Sequence, residues 1–318
     1  MKSSTILAVA LFAWLAALSG CSSAPDQKKD PADPALIQEE KDRQARMAEA
    51  ENRLADPGRL LISLDQVLDR YLQYMLVGDP AGEGKNASKL RSFLEKTATE
   101  HFETLAHELD RPEFPRNRAI AAGAIGFSKN PLALDPLLNA LNATEPDVLS
   151  NAAFGLGILA DARTPPQLLA RVIESGSHPS EIRGGAAWSM LQIQETVADA
   201  EPFHAIWARV LGSGLEANPP EVLVSAVRGL GLSREPRYRS FVEPFVSHPT
   251  PLVRAAAAVA LGRFRDREAL PALIALIGPA ESNQNVRLAS RKALQALAGG
   301  EDHGYDVEEW KRAFQRDR

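Results

Sequence analysis

Along most of the chain, apolar positions recur at spacings of three and four, the period of a helix with one buried face. The clearest case is Pro251–Leu276. Val253, Ala257, Ala260, Leu261 and Phe264 share one face, and after a polar break Leu270, Leu273, Ile274 and Ile277 form a second stripe. Pro251 suits a first helical turn, where its missing N–H would have had no partner. Two short amphipathic helices joined by a tight turn cannot bury both stripes alone, so the pattern predicts stacking on copies of itself.

The copies are present. With Leu261 as register position 0, the counterparts are Ile125, Leu156, Met190, Leu230 and Leu294, at spacings of 31, 34, 40, 31 and 33 residues. Position −4 is always small (Ala121, Ala152, Ala186, Ala226, Ala257, Ser290). So is position −1 (Ala124, Gly155, Ser189, Gly229, Ala260, Ala293). Partner helices are predicted at Pro131–Leu141, Pro165–Glu174, Glu201–Leu211, Arg237–Val246 and Glu268–Leu276. Upstream, Leu60–Val77 and Ser88–Leu109 carry strong stripes separated by a Gly-rich loop, and are expected to close the N-terminal end of the array. Downstream, Asp306 and Glu309 predict a capping box, with Tyr305 and Trp310 as its hydrophobic staple over the last open core face.

The segment Val253-Arg254-Ala255-Ala256-Ala257-Ala258-Val259-Ala260-Leu261-Gly262 resembles the second helix of HEAT repeats in their short form of about thirty residues, the kind found in phycobilin lyases. Arg118–Gly126 and Ile182–Ala187 resemble it too. The resemblance covers roughly residues 88–300 and implies an all-α fold: an α-solenoid of stacked helical hairpins with an N-terminal helical cap and a short C-terminal capping helix. It also implies a structural ladder through Arg118, Arg183, Arg254 and Arg287, which share position −7, whereas Leu149 and Leu223 interrupt it. The expected organisation is a signal peptide at 1–20, a flexible tether at 21–35, an N-terminal helical segment at 36–110, the array at 111–300 and the cap at 301–318.

The first residues address the chain. Lys2 precedes an apolar run of thirteen residues, Ile6–Leu18, shorter than the roughly 20 residues of a membrane span and suited to a secretory signal. Leu18-Ser19-Gly20-Cys21 then resembles the lipobox of bacterial lipoproteins, in which the Cys becomes the acylated first residue. That resemblance implies palmitate-type acyl chains on Cys21, and Ser22 after it implies an outer-membrane anchor facing the periplasm. Residues 22–35 are polar with three prolines, a tether composition. Cys21 is the only Cys, so no disulfide is expected.

Charge and chemistry narrow the function. The formal net charge is −5 with no basic block, which lacks the electrostatic footprint of a nucleic-acid binder. The six histidines are scattered without metal-ligand spacing. There is no phosphate loop or nucleophile elbow. No metal, cofactor or catalytic group is expected. The sharper candidate is the face of the second helices opposite the core stripe, which is concave in HEAT arrays. There Phe154, Trp188, Leu191 and Val224, beside Arg228, would form a partner-binding patch; burial against neighbouring repeats is the competing reading. The expectation is a non-enzymatic, lipid-anchored envelope scaffold that binds a protein or peptide. The alternatives are an accessory subunit docking by its ends or edges and, more remotely, a HEAT-like enzyme such as a lyase.

Overall fold

The fold is described from a computed structural model, which covers residue 38 and residues 41–43, 56–78, 84–214 and 217–316. The chain divides into two contact units, Met1–Arg53 and Leu54–Arg318. Of the first, Gln38 and residues 41–43 are described and helical, with Gln38 Nε2 donating to Asp42 Oδ1 at 2.8 Å. The expected signal, Cys21 and the tether lie outside the described residues. Among the described residues there is no strand and no helix long and apolar enough to cross a membrane.

The second unit is built of helices α1 (Pro57–Val77), α2 (Lys85–Glu100), α3 (Phe102–Leu109), α4 (Pro115–Ile125), α5 (Leu134–Ala140), α6 (Pro146–Leu159), α7 (Pro166–Glu174) and α8 (Ser180–Gln194). They continue as α9 (Glu201–Gly212), α10 (Pro220–Ser233), α11 (Arg239–Val242), α12 (Pro251–Phe264), α13 (Leu270–Ile277), α14 (Gln284–Leu297) and α15 (Val307–Arg316). The second helices of the repeats are α4, α6, α8, α10, α12 and α14, and each packs on the next. Proline opens four of the six at the first turn. Of the predicted partner helices, Arg237–Val246 is broken into 3₁₀, α and 3₁₀ pieces. Pro244 explains the stop, since it removes an N–H and clashes with the preceding turn.

The register has a direct structural meaning. All six residues at position 0 and all six at −4 are fully buried. Position −1 is small because successive second helices almost touch. A Cβ added to Gly126 would lie 2.2 Å from the Gly155 carbonyl oxygen, and one added to Gly262 would lie 2.6 Å from the Ala293 Cβ. A second rule is set by the helix ends. Lys129, Ala160, Arg234 and Arg265 all stand at position +4 and all are left-handed, with φ of 55°, 51°, 57° and 53°. The same turn therefore ends four second helices without glycine, at a cost of about 1–2 kcal/mol each. The Lys129 ammonium donates to the Ile158 carbonyl at the end of the next second helix, and burial there pushes its pKa down.

The position −7 arginines are structural rungs. Arg118 Nε donates to Leu109 O (3.0 Å), Arg183 Nε to Ile173 O (2.7 Å) and Arg287 Nε to Ile277 O (3.3 Å), each reaching the end of the preceding first helix. Arg254 donates to the His248 and Pro249 carbonyls and forms a two-pronged pair with Glu281, at 2.7 and 2.8 Å.

At the N-terminal end, the predicted 88–109 helix breaks at His101. Its second part, α3, pairs with α4, so the first hairpin already starts at Phe102. Helices α1 and α2 pack over α4 and the turn after it. At the other end, Asp306 Oδ1 accepts the N–H groups of Glu308 and Glu309, both at 2.9 Å, as a helix N-cap. The expected staple does not form. Trp310 is buried and donates its indole N–H to Gly304 O (3.0 Å), while exposed Tyr305 lies under Arg287 and Arg291, 4.7 and 5.1 Å from the ring centre. Two guanidiniums over the ring face hold Tyr305 outward by cation–π attraction.

Candidate functional site

The candidate residues stand on α6, α8 and α10, but their surroundings differ. Phe154 and Trp188, both at position −2, are half-buried and stacked, with ring centres 5.6 Å apart and planes at 20°. They continue a file of rings that starts with buried Tyr71 and Phe127. Tyr71 meets Phe127 edge-on at 5.5 Å, and Phe127 lies 6.1 Å from Phe154. Leu191 and Val224 are 6% and 8% exposed, so they support the face from beneath. Leu191 stands at +1, and in the other repeats that position turns toward the next second helix rather than outward, as Gly126, Gly157, Gly231 and Gly262 show. Arg228 is exposed.

The same face opens further toward the C-terminal repeats, where Leu252 is 64% and Val259 40% exposed. Sequence reading stopped at position +1 and missed a cationic groove there. Arg263 stands at +2, Arg234 and Arg265 at +4, and Lys292 at −2 of the last repeat. These four line an open groove of about 540 Å³ whose floor includes Val259, Gly262, Ala289 and Ala293. The signal lay in the last three aligned copies, where cations recur at −2 (Arg228, Lys292) and +4 (Arg234, Arg265), with Arg263 at +2 between them. Across the other side of the array, arginines are paired between successive repeats: Arg209 with Glu174, Arg237 with Glu201, and Arg239 with Asp266, each at 2.7 Å.

One cluster brings together metal-type donors that sequence spacing did not single out. Glu201, His204 and Glu235 place ligand atoms within 4.8 Å of one another. His204 is buried beside Tyr238, and desolvation lowers its pKa against the opposing pull of Glu201 and Glu235. The carboxylates are already served by protein donors. Arg237 bridges Glu201 and Glu235 at 2.7 Å each, and the Tyr238 hydroxyl donates to Glu201. The chain's own guanidinium thus supplies the positive charge at this inter-repeat junction. Nearby, Trp207 Nε1 donates to Gln194 Oε1 (2.7 Å) and Gln194 Nε2 to Gly229 O (2.9 Å), a buried network that crosses two repeats.

Comparison with known proteins identifies the architecture. A sequence comparison with curated proteins finds no match. Among solved structures, Kap121p bound to RanGTP is similar at 13% identity and a TM-score of 0.51, over 77% of this chain and 30% of that one. The Escherichia coli protein YibA is similar at 15% identity and a TM-score of 0.48, over 85% and 98% of the two chains. The CpcE–CpcF complex of phycocyanin lyase from Nostoc sp. PCC7120 is similar at 18% identity and 0.39, over 74% and 90%. The Kap121p likeness is one of fold alone. The model of the HEAT repeats family matches residues 102–191 and 208–297, more than half of the chain, in the same stretches that hold the register and its stacked hairpins. The chain belongs to the HEAT-repeat family.

Proposed function

We propose that this chain is a non-catalytic scaffold, held to the outer membrane through acyl chains on Cys21, that binds a protein or peptide on the face of its second helices. The observation that carries the reading is the Phe154–Trp188 stack. It is half-buried at the middle of that face, and the next two second helices carry exposed Arg228 and Val259. Aromatic rings supply large, rigid contact area and arginine supplies directional hydrogen bonds, which suits a binding anchor. The fold is compatible with this use, since the similar Kap121p structure is bound to RanGTP.

The test is in-cell photocrosslinking from position 188, followed by capture with Trp188→Ala and Phe154→Ala. Both rings are half-exposed, so truncation removes contact area while most of the core stays in place. Capture is expected to fall at least tenfold in either variant, and unchanged capture in both refutes the patch. The anchor is tested separately with Cys21→Ala, which is expected to move the protein out of the membrane fraction.

A further inference from the structure

The face of the last three repeats holds five cations, Arg228, Arg234, Arg263, Arg265 and Lys292. Among the described residues, none of them has an ion pair or side-chain hydrogen bond. This is unusual for a chain of net charge −5 whose arginines on the opposite side are paired between repeats. Complementing the negative ends of helices accounts for Arg234 and Arg265, which sit at C-caps. It does not account for Arg228 and Lys292, which precede the last turns of α10 and α14. Between the cations the groove floor is apolar and small-sided, at Val259, Gly262, Ala289 and Ala293.

The chain itself shows how a helix sits on this face. Over the first repeat, α1 places Leu68 3.4 Å from where a Gly123 Cβ would be, pairs Asp65 with Arg116 at 2.9 Å and lays Tyr71 against Phe127. Gly123, Arg116 and Phe127 occupy the registers of Val259, Leu252 and Arg263. At the first repeat α1 covers the registers of Gly123 and Phe127 with apolar side chains and pairs the exposed Arg116 with an acid. In the fifth they are open and their surroundings are cationic.

We infer that the groove across the last three repeats binds an acidic amphipathic helix of a partner protein, apolar side chains on the alanine floor and carboxylates toward Arg228, Arg263 and Lys292. Helix-in-groove recognition needs an apolar stripe and gains specificity from the charged rim. A nucleic acid or an anionic membrane would use the cations and leave the apolar floor unused. The chain's own 36–55 segment is a poor occupant, with Glu39, Glu40, Asp42, Glu49 and Glu51 nearly balanced by Lys41, Arg43, Arg46 and Arg53. The inference rests on the scaffold reading above and names the chemistry of its partner.

The experiment uses the full mature chain and a fluorescent 21-residue helical peptide with leucines on one face and glutamates flanking it. A lysine-flanked counterpart, duplex DNA and phosphatidylglycerol vesicles are run beside it. The glutamate peptide is expected to bind with an affinity that falls as salt rises. Arg263→Glu with Lys292→Glu is expected to weaken it at least tenfold and to admit the lysine peptide. Val259→Asp is expected to weaken it comparably, while all variants keep the parent helical circular dichroism. Glutamate-peptide binding untouched by the charge reversal overturns the inference. So does tighter binding of DNA or vesicles that Val259→Asp leaves unchanged, which identifies a general polyanion surface. Crosslinking from position 188 separates the two readings: capture there alongside a failed groove test leaves the scaffold standing, and capture nowhere removes both.

Discussion

The Arg254–Glu281 pair offers the sharpest test of how the repeats hold together. Arg254 makes four hydrogen bonds, two to Glu281 and two to the carbonyls before α12, and Glu281 also accepts the Asn283 N–H at 2.8 Å. The two side chains are 16% and 6% exposed, so water can do little to replace either partner. In Arg254→Ala the Glu281 carboxylate keeps one N–H donor in a buried site. Removing one member of such a pair costs about 3–5 kcal/mol. Because stability in a stacked array is carried by nearest-neighbour interfaces, the loss falls on the contact between α12 and α14. Urea unfolding of Arg254→Ala is expected to show the last repeat and α15 melting ahead of the rest. Arg254→Met with Glu281→Leu should restore most of the stability, since a buried pair replaced by apolar groups of similar volume is often neutral.

The pair also predicts a pH dependence. The Arg254 guanidinium, aided by the Asn283 N–H, holds the Glu281 carboxyl below its ordinary value against the opposing effect of burial. A depressed folded pKa stabilises the protein above the unfolded value of about 4.3 and is lost as pH falls through the folded one. The parent should therefore lose stability on the acid side through this group, and the apolar double variant should lose less. An Arg254→Ala cost under about 1 kcal/mol, or a double variant as unstable as the single one, overturns this account of the pair.

Three further outcomes are set by the packing. Gly126→Ala drives a Cβ to 2.2 Å from a backbone oxygen and should cost about 1–3 kcal/mol or more, whereas Gly185→Ala meets nothing within 4 Å and should stabilise α8 by up to about 1 kcal/mol; thermal melts of the two should move in opposite directions. Gln194→Leu strands the buried Trp207 N–H and removes the second hydrogen bond of the Gly229 carbonyl, for about 1–3 kcal/mol by urea titration, and an unchanged midpoint counts against a structural role for the network. Trp310→Ala empties a fully buried site and should cost about 3–5 kcal/mol, read as early hydrogen exchange in α14.

The arrangement of α4 through α14 was legible because the hydrophobic period and the small residues at −4 and −1 repeat six times. Repetition turns a weak local signal into a strong one; the same alignment showed Arg254 recurring at one register, and the resemblance to HEAT repeats implied that it is a structural rung. Local polarity could also place Asp306 as a cap, since its partners lie two and three residues away. Tyr305 could not be placed that way, because the guanidiniums that hold it come from α14.

What the chain could not specify residue by residue was which face of each second helix stays open. That depends on contacts between repeats and with α1, far apart in sequence. Position +1 looks outward on a helical wheel, yet it is closed by the next helix, which buries Leu191. Position −2 is covered by α1 at Gly123, half-covered at Phe154 and Trp188, and open at Val259. Helical period and residue size determined the repeating unit. Only the stacking of those units decided where apolar and cationic groups meet water.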